Sequence, residues 1–136
     1  MRELVLDTET TGLDFETGDR IVEIGIVELE NYLQTGNYFH YYLNPERNSD
    51  PSAEKIHGLS REFLLDKPKF VEIADELVEF ISDSKLIIHN ASFDLGFLNA
   101  ELNRCQMQMI DDSSIIDTLV LARRRFGGQS VSLDNL

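Results

Sequence analysis

Three apolar segments crowd the chain before Asn44, and the connections between them leave no room for a helical crossover. Leu4-Val5-Leu6 runs into the turn formers Thr10-Thr11-Gly12 and reads as a strand followed by an irregular loop through Gly18-Asp19. Arg20 to Leu29, rich in Ile and Val, reads as a second strand and Tyr38 to Leu43 as a third, with Asn31 to Asn37 between them. Parallel neighbours need a crossover of roughly a dozen residues or more, so these three strands are predicted to pair as an antiparallel meander.

The pattern then changes. Asp50-Pro51 reads as a cap with proline at the first helical position, and His57-Gly58 as the end of that short helix. From Phe70 to Ile81 the apolar residues Ile73, Ala74, Leu77, Val78 and Ile81 recur at helical spacing, while Glu72, Asp75, Glu76 and Glu79 form a solvated acidic face. Leu86-Ile87-Ile88 reads as a buried strand and Ser92 to Arg104 as a helix capped by Ser92. A last strand is predicted around Ile110 to Ile116, before a helix from Asp117 to Arg125 that Gly127-Gly128 stops. A meander followed by strand-helix alternation implies an α/β domain, a mixed sheet with flanking helices.

The 136 residues fit one domain, at ~150 residues per domain. Twelve basic against 25 acidic residues give a net charge of −13, which repels membrane surfaces and phosphate backbones alike. Any action on nucleic acid then needs bound cations or a partner that delivers the substrate. Asp7 interrupts the N-terminal apolar run before it reaches the length of a signal peptide, and no apolar run approaches the ~18 residues of a membrane span. The expected location is the cytoplasm. Cys105, the single cysteine, shares helical spacing with Leu95, Leu98 and Leu102 and is expected in the core.

Two segments carry candidate chemistry. Asp7 and Glu9 lie at the end of the first strand, and the period of two points both carboxylates to one side. Hard oxygen ligands beside a flexible loop suit Mg²⁺ or Mn²⁺. The second segment, His89-Asn90-Ala91-Ser92-Phe93-Asp94, follows the strand Leu86 to Ile88 and puts Asp94 in the first turn of a helix, where the dipole is expected to keep it ionised. Ligands of α/β sheets collect beyond the C-terminal ends of strands, where both segments sit.

These segments resemble a known family. Leu6-Asp7-Thr8-Glu9-Thr10-Thr11-Gly12-Leu13 resembles the first motif of the DnaQ-like DEDD 3′→5′ exonucleases, and His89 to Asp94 their second. Phe39 to Leu43, Asp50-Pro51, Ile56-His57-Gly58, Phe63 to Pro68 and Ser132-Leu133-Asp134 extend the likeness, in order, toward members that proofread for a bacterial replicative polymerase. The resemblance implies a ribonuclease-H-like fold and hydrolysis of phosphodiester bonds at DNA 3′ ends. It further implies two Mg²⁺ or Mn²⁺ ions on Asp7, Glu9 and Asp94, and terminal-nucleotide contacts from Thr10, Gly12, Leu13, His57, Asn90 and Phe93. It also implies assembly with the polymerase catalytic subunit and other core subunits.

The third family motif, His-x-x-x-x-Asp, has no counterpart before Leu136, and the same spacing between His89 and Asp94 belongs to the second motif. The expectation is one exonuclease domain over 1–136, incomplete at its C-terminus and weak in catalysis. Alternatives stay open: an RNA-trimming member of the family, an inactive metal-, nucleotide- or polymerase-binding fragment, or a haloacid-dehalogenase-like phosphatase with Asp7 as nucleophile. His57 reads equally as a helix end and as a substrate contact. Asp117 reads as a helix cap, and Arg123-Arg124-Arg125 as complements to a helix dipole.

Overall fold

A computed structural model describes residues 2–119. The expectations for residues 120–125, Gly127-Gly128 and Ser132-Leu133-Asp134 lie outside the described residues. Strand β1 (Arg2–Thr10) pairs antiparallel with β2 (Ile21–Glu30), and β2 with β3 (Leu33–Tyr42), as the short connections require. The β2–β3 link is tighter than predicted. Asn31 and Tyr32 both hold positive φ, 53° and 70°, forming a two-residue turn that lets β3 begin at Leu33. The residues from Leu33 to Asn37 are therefore strand, because the turn fits the twist of the flanking strands.

After the meander come α1 (Pro51–His57), α2 (Arg61–Leu64), α3 (Phe70–Ile81), β4 (Lys85–Ile88), α4 (Ala91–Arg104) and β5 (Ile115–Asp117). Strands β4 and β5 are parallel to β1, giving the order β3-β2-β1-β4-β5. The last strand is shorter and later than Ile110 to Ile116, since Asp112–Ser114 forms a 3₁₀ turn whose start the Asp111 carboxylate caps, accepting from Ser113 N–H. Alternation along β1 sends Leu4, Leu6 and Thr8 into the core, where Leu77 of α3 and Leu98 and Leu102 of α4 join them. Each such fully buried Leu is worth roughly 1.5–3 kcal/mol. Val5, Asp7 and Glu9 face the other way. Cys105 ends α4 half-buried against the core rather than inside it.

Two predicted caps are built differently. Asp50 precedes Pro51, but its side chain makes no capping hydrogen bond. At α4 the cap position belongs to Asn90, in the left-handed region at φ 57°, and Ser92 is exposed within the first turn. The first N–H groups of α4 are satisfied from the neighbouring strand: Asp117 accepts from Asn90 N–H at 3.1 Å and Ala91 N–H at 3.0 Å. Asp117 also accepts from Leu119 N–H at 2.9 Å, so its carboxylate serves two chain segments as a cap. No helix among the described residues is long and apolar enough to cross a membrane.

Candidate active site

Strands β1 and β4 lie side by side, so the ends of both open onto one rim. From β1, Asp7 and Glu9 project to the face away from α3 and α4. Asp94 comes from the first turn of α4 and meets the strand from the other side, accepting a hydrogen bond from Thr8 Oγ1. The three carboxylates surround the end of β1 and feel one another electrostatically. Burial pushes Asp7 and Glu9 above the ordinary carboxylate range; the charge of Glu23 adds to both, and that of Asp7 adds to Glu9.

Asp94 is pushed furthest, to about 6, first by burial and then by Asp7 and Glu9, with the Thr8 hydrogen bond opposing. This corrects the expectation that the helix N-terminus keeps Asp94 readily ionised: desolvation of a side chain only 6% exposed outweighs the dipole. Among the described residues, no three His, Cys, Asp or Glu side chains are already gathered tightly enough to hold a metal ion. The donor chemistry nonetheless fits a hard divalent cation, because mutually repelling carboxylates gain most from a central positive charge.

Beside these carboxylates opens a cleft of about 310 Å³, lined by Thr8, Glu9 and Thr10 of β1, Gly12 and Leu13 of the loop, Ser52, Ala53, Ile56 and His57 of α1, and Phe93 of α4. Of the nucleotide-contact residues expected from the sequence, Thr10, Gly12, Leu13, His57 and Phe93 meet here. Asn90 does not line the cleft; it is exposed at the start of α4. Leu13 and Ile56, 85% and 81% exposed, offer apolar surface at the mouth. A larger hollow of about 590 Å³ lies between the end of α3 and residues 108–114, and none of the three carboxylates lines it.

The loop after β1 is held by its own acid. Asp19 accepts from Thr11 Oγ1 at 2.7 Å and Asp14 N–H at 3.1 Å, and Arg47 stands 3.6 Å away. Gly12 packs against this knot; a Cβ there would collide with the Asp19 carboxylate and come within 2.6 Å of Asp50 Oδ2. Gly58 ends α1 at φ 71°, as its sequence position suggests. His57 both closes that helix and lines the cleft. Its Nδ1 accepts from Leu59 N–H at 2.9 Å, its Nε2 lies 3.3 Å from Ser49 Oγ, and burial lowers its pKa.

One neighbour of the carboxylates went unread in the sequence. Glu23 of β2 stands directly across from Glu9, and Gly25 across from Asp7. A glycine inside an Ile/Val strand pattern was the available signal for a close approach or open space.

The mixed five-stranded sheet thus carries acidic side chains where β1 and the start of α4 meet. Residues 4–136 match the RNase T exonuclease family, and the chain belongs to that family. It is 56% identical over 139 residues to a DNA polymerase III subunit epsilon of Rickettsia felis, covering all of this chain and 61% of that protein. It is 45% identical over 142 residues to the subunit of the same name from Escherichia coli K12, covering 99% of this chain and 58% of that one. The chain thus spans about three-fifths of these relatives. Among solved structures, E. coli exonuclease I in its metal-free complex with single-stranded DNA superposes with a TM-score of 0.85 at 19% identity, over 99% of this chain and 34% of that one. Exonuclease X in complex with 5′-overhanging duplex DNA gives 0.71 at 29% identity, over 98% and 69%. The family match removes the haloacid-dehalogenase alternative.

Proposed function

We propose that this chain is the exonuclease part of a proofreading subunit that removes nucleotides from DNA 3′ ends in the cytoplasm, bound to the catalytic subunit and other core subunits of a replicative polymerase. The observation that supports the reading is the placement of Asp7, Glu9 and Asp94 about the end of β1, Asp94 through its bond from Thr8, with Glu9 lining an adjacent cleft of apolar walls. Leu13, Ile56 and Phe93 offer surface for a terminal base, and the Thr10 hydroxyl, which donates to Gly12 O at 2.6 Å, stiffens the loop that carries Leu13. Asp7, Glu9 and Asp94 would hold two Mg²⁺ or Mn²⁺ ions, which supply charge neutralisation at the scissile phosphate and an acidified water. With a net charge of −13, DNA approach depends on those cations and on the polymerase partner. The relatives named as polymerase III epsilon subunits support the partner assignment.

The test is a gel time course on a primer with a mismatched 3′ terminus in Mn²⁺. The chain is expected to trim from the 3′ end only when the divalent ion is present. Asp7→Ala and Glu9→Ala should abolish that trimming. Equal trimming by the parent and Asp7→Ala would overturn the reading.

A further inference from the structure

The open face of the sheet holds an arrangement that the three carboxylates do not explain. Across β1, β2 and β3 two rows of residues lie side by side: Asp7, Gly25 and His40 in one, Glu9, Glu23 and Tyr42 in the next. Glu9 and Glu23 are thus like charges at directly opposed positions, a pairing that costs stability in a sheet. Between them and Asp7 lies a separate small cavity of about 110 Å³, lined by Asp7, Thr8, Glu9, Glu23 and Gly25. Gly25, which carries no side chain, forms one of its walls. A Cβ there would touch nothing closer than His40 Cδ2 at 3.8 Å, so packing alone does not demand glycine. The cavity has room for a few water molecules and is walled by carboxylates.

Glu23 is also held in place. His40 Nε2 lies 2.7 Å from Glu23 Oε2, leaving Oε1 to accept from water. The imidazole is braced edge-on by Tyr42 at 4.8 Å, and Tyr42 in turn by Phe63 at 5.1 Å. An exposed ion pair is worth little to stability, so a ring-braced histidine fixing one rotamer of a carboxylate beside two others points to positioning.

Building on the proposed metal-dependent reading, we propose that Glu23, clamped by His40, is a positioning residue for the hydrated divalent ion held by Asp7 and Glu9. The Gly25 cavity takes water molecules of that ion's shell, and Glu23 accepts their hydrogen bonds. Groups that support a metal site through an intermediate typically change its affinity about 10- to 100-fold when lost.

Mn²⁺ is titrated calorimetrically into the parent, Glu23→Gln, His40→Ala, His40→Gln, Gly25→Ala and Asp7→Ala proteins, and water-proton relaxation of the bound Mn²⁺ is read in parallel. Glu23→Gln should bind about 10- to 100-fold more weakly, His40→Ala should weaken binding by a smaller factor, and His40→Gln should recover most of that loss by donating to Glu23. Gly25→Ala, which the strand accommodates without a clash, should lower the relaxation enhancement per bound ion by displacing water. If Glu23→Gln and Gly25→Ala match the parent in affinity and relaxation while Asp7→Ala loses binding, the role of Glu23 is refuted and the metal reading stands. If Asp7→Ala also binds like the parent, both fall.

Discussion

Helix α4 buries two carboxylates, Asp94 near its start and Glu101 further along, and surrounds them in opposite ways. Glu101, 1% exposed, receives Arg20 through both oxygens at 2.7–3.0 Å, the Ile21 N–H at 3.1 Å and Arg104 at 3.4 Å. Asp94, 6% exposed, has a hydrogen bond from Thr8 and otherwise faces the charges of Asp7 and Glu9. A buried charge supplied with cationic and N–H donors ties elements together; here it joins α4 to the start of β2. A buried charge left among like charges is a deficit, which the proposed cation would make good. The same residue class on one helix thus separates scaffold from proposed site by what faces it.

The largest break in this comparison should come at the scaffold end. Glu101→Ala leaves Arg20 and the Ile21 N–H without their acceptor and is expected to cost about 3 kcal/mol in urea denaturation. That is the low end for a broken buried pair, because Arg20 keeps 19% of its side-chain exposure and regains some water. Next is the response to metal: Mn²⁺ at about a hundred times its dissociation constant should add ~2.7 kcal/mol to the parent, with the gain much reduced in Asp94→Asn. An equal gain in both proteins would take Asp94 out of the site.

The metal-free Asp94→Asn protein should itself be more stable than the parent at pH 7.5, by on the order of 2 kcal/mol. The sign follows from a folded-state pKa raised from 3.8 to about 6. Between pH 4 and 6 the folded state binds more protons than the unfolded one, so the parent loses stability as pH rises through that window and carries the full penalty above it. The variant lacks the titrating group, and its advantage should vanish near pH 4. Urea denaturation at pH 4 and 7.5 checks both ends.

How much of this was legible varied with the range of the interaction. The antiparallel meander, the helix over Phe70–Ile81 and the placement of Asp7 and Glu9 on one side follow from periods of two and 3.6 and from connection length, which are local. The motif likeness marked Asp94 and most of the cleft. Glu101 looked like any charged helix residue, since its meaning depends on Arg20, far away in sequence. Glu23 and His40 acquire theirs from strand register, which alternation alone does not set. Asn90 opens α4 outside the cleft lining, and Asp117 rather than Ser92 caps the backbone, because the acceptor comes from a neighbouring strand. The solvated acidic face of α3 was read as it stands, with Glu72, Asp75, Glu76 and Glu79 all exposed.

The smallest expected effect sharpens the comparison most, because it alters the hydrogen bond that Asp94 receives without removing the charge. Thr8→Val keeps the shape and β-branching of the side chain, so the packing of β1 against α4 should persist. The Thr8 hydroxyl favours the ionised form of Asp94 and restrains its pKa. Without it, the Asp94 carboxyl should titrate above about 6, and the pH window over which the fold loses stability should extend upward with it. The cost should be about 1 kcal/mol at pH 7.5, where the lost bond was to a carboxylate, and near zero at pH 4, where Asp94 is largely protonated in the folded state and the charge that the hydroxyl served is gone. A carbon NMR titration of the Asp94 carboxyl reads the shift directly, with urea denaturation at the two pH values reading the cost. An unchanged midpoint would mean that burial and the neighbouring carboxylates alone set the charge state of Asp94. The contrast with Glu101 would then rest on the missing cation and not on hydrogen bonding.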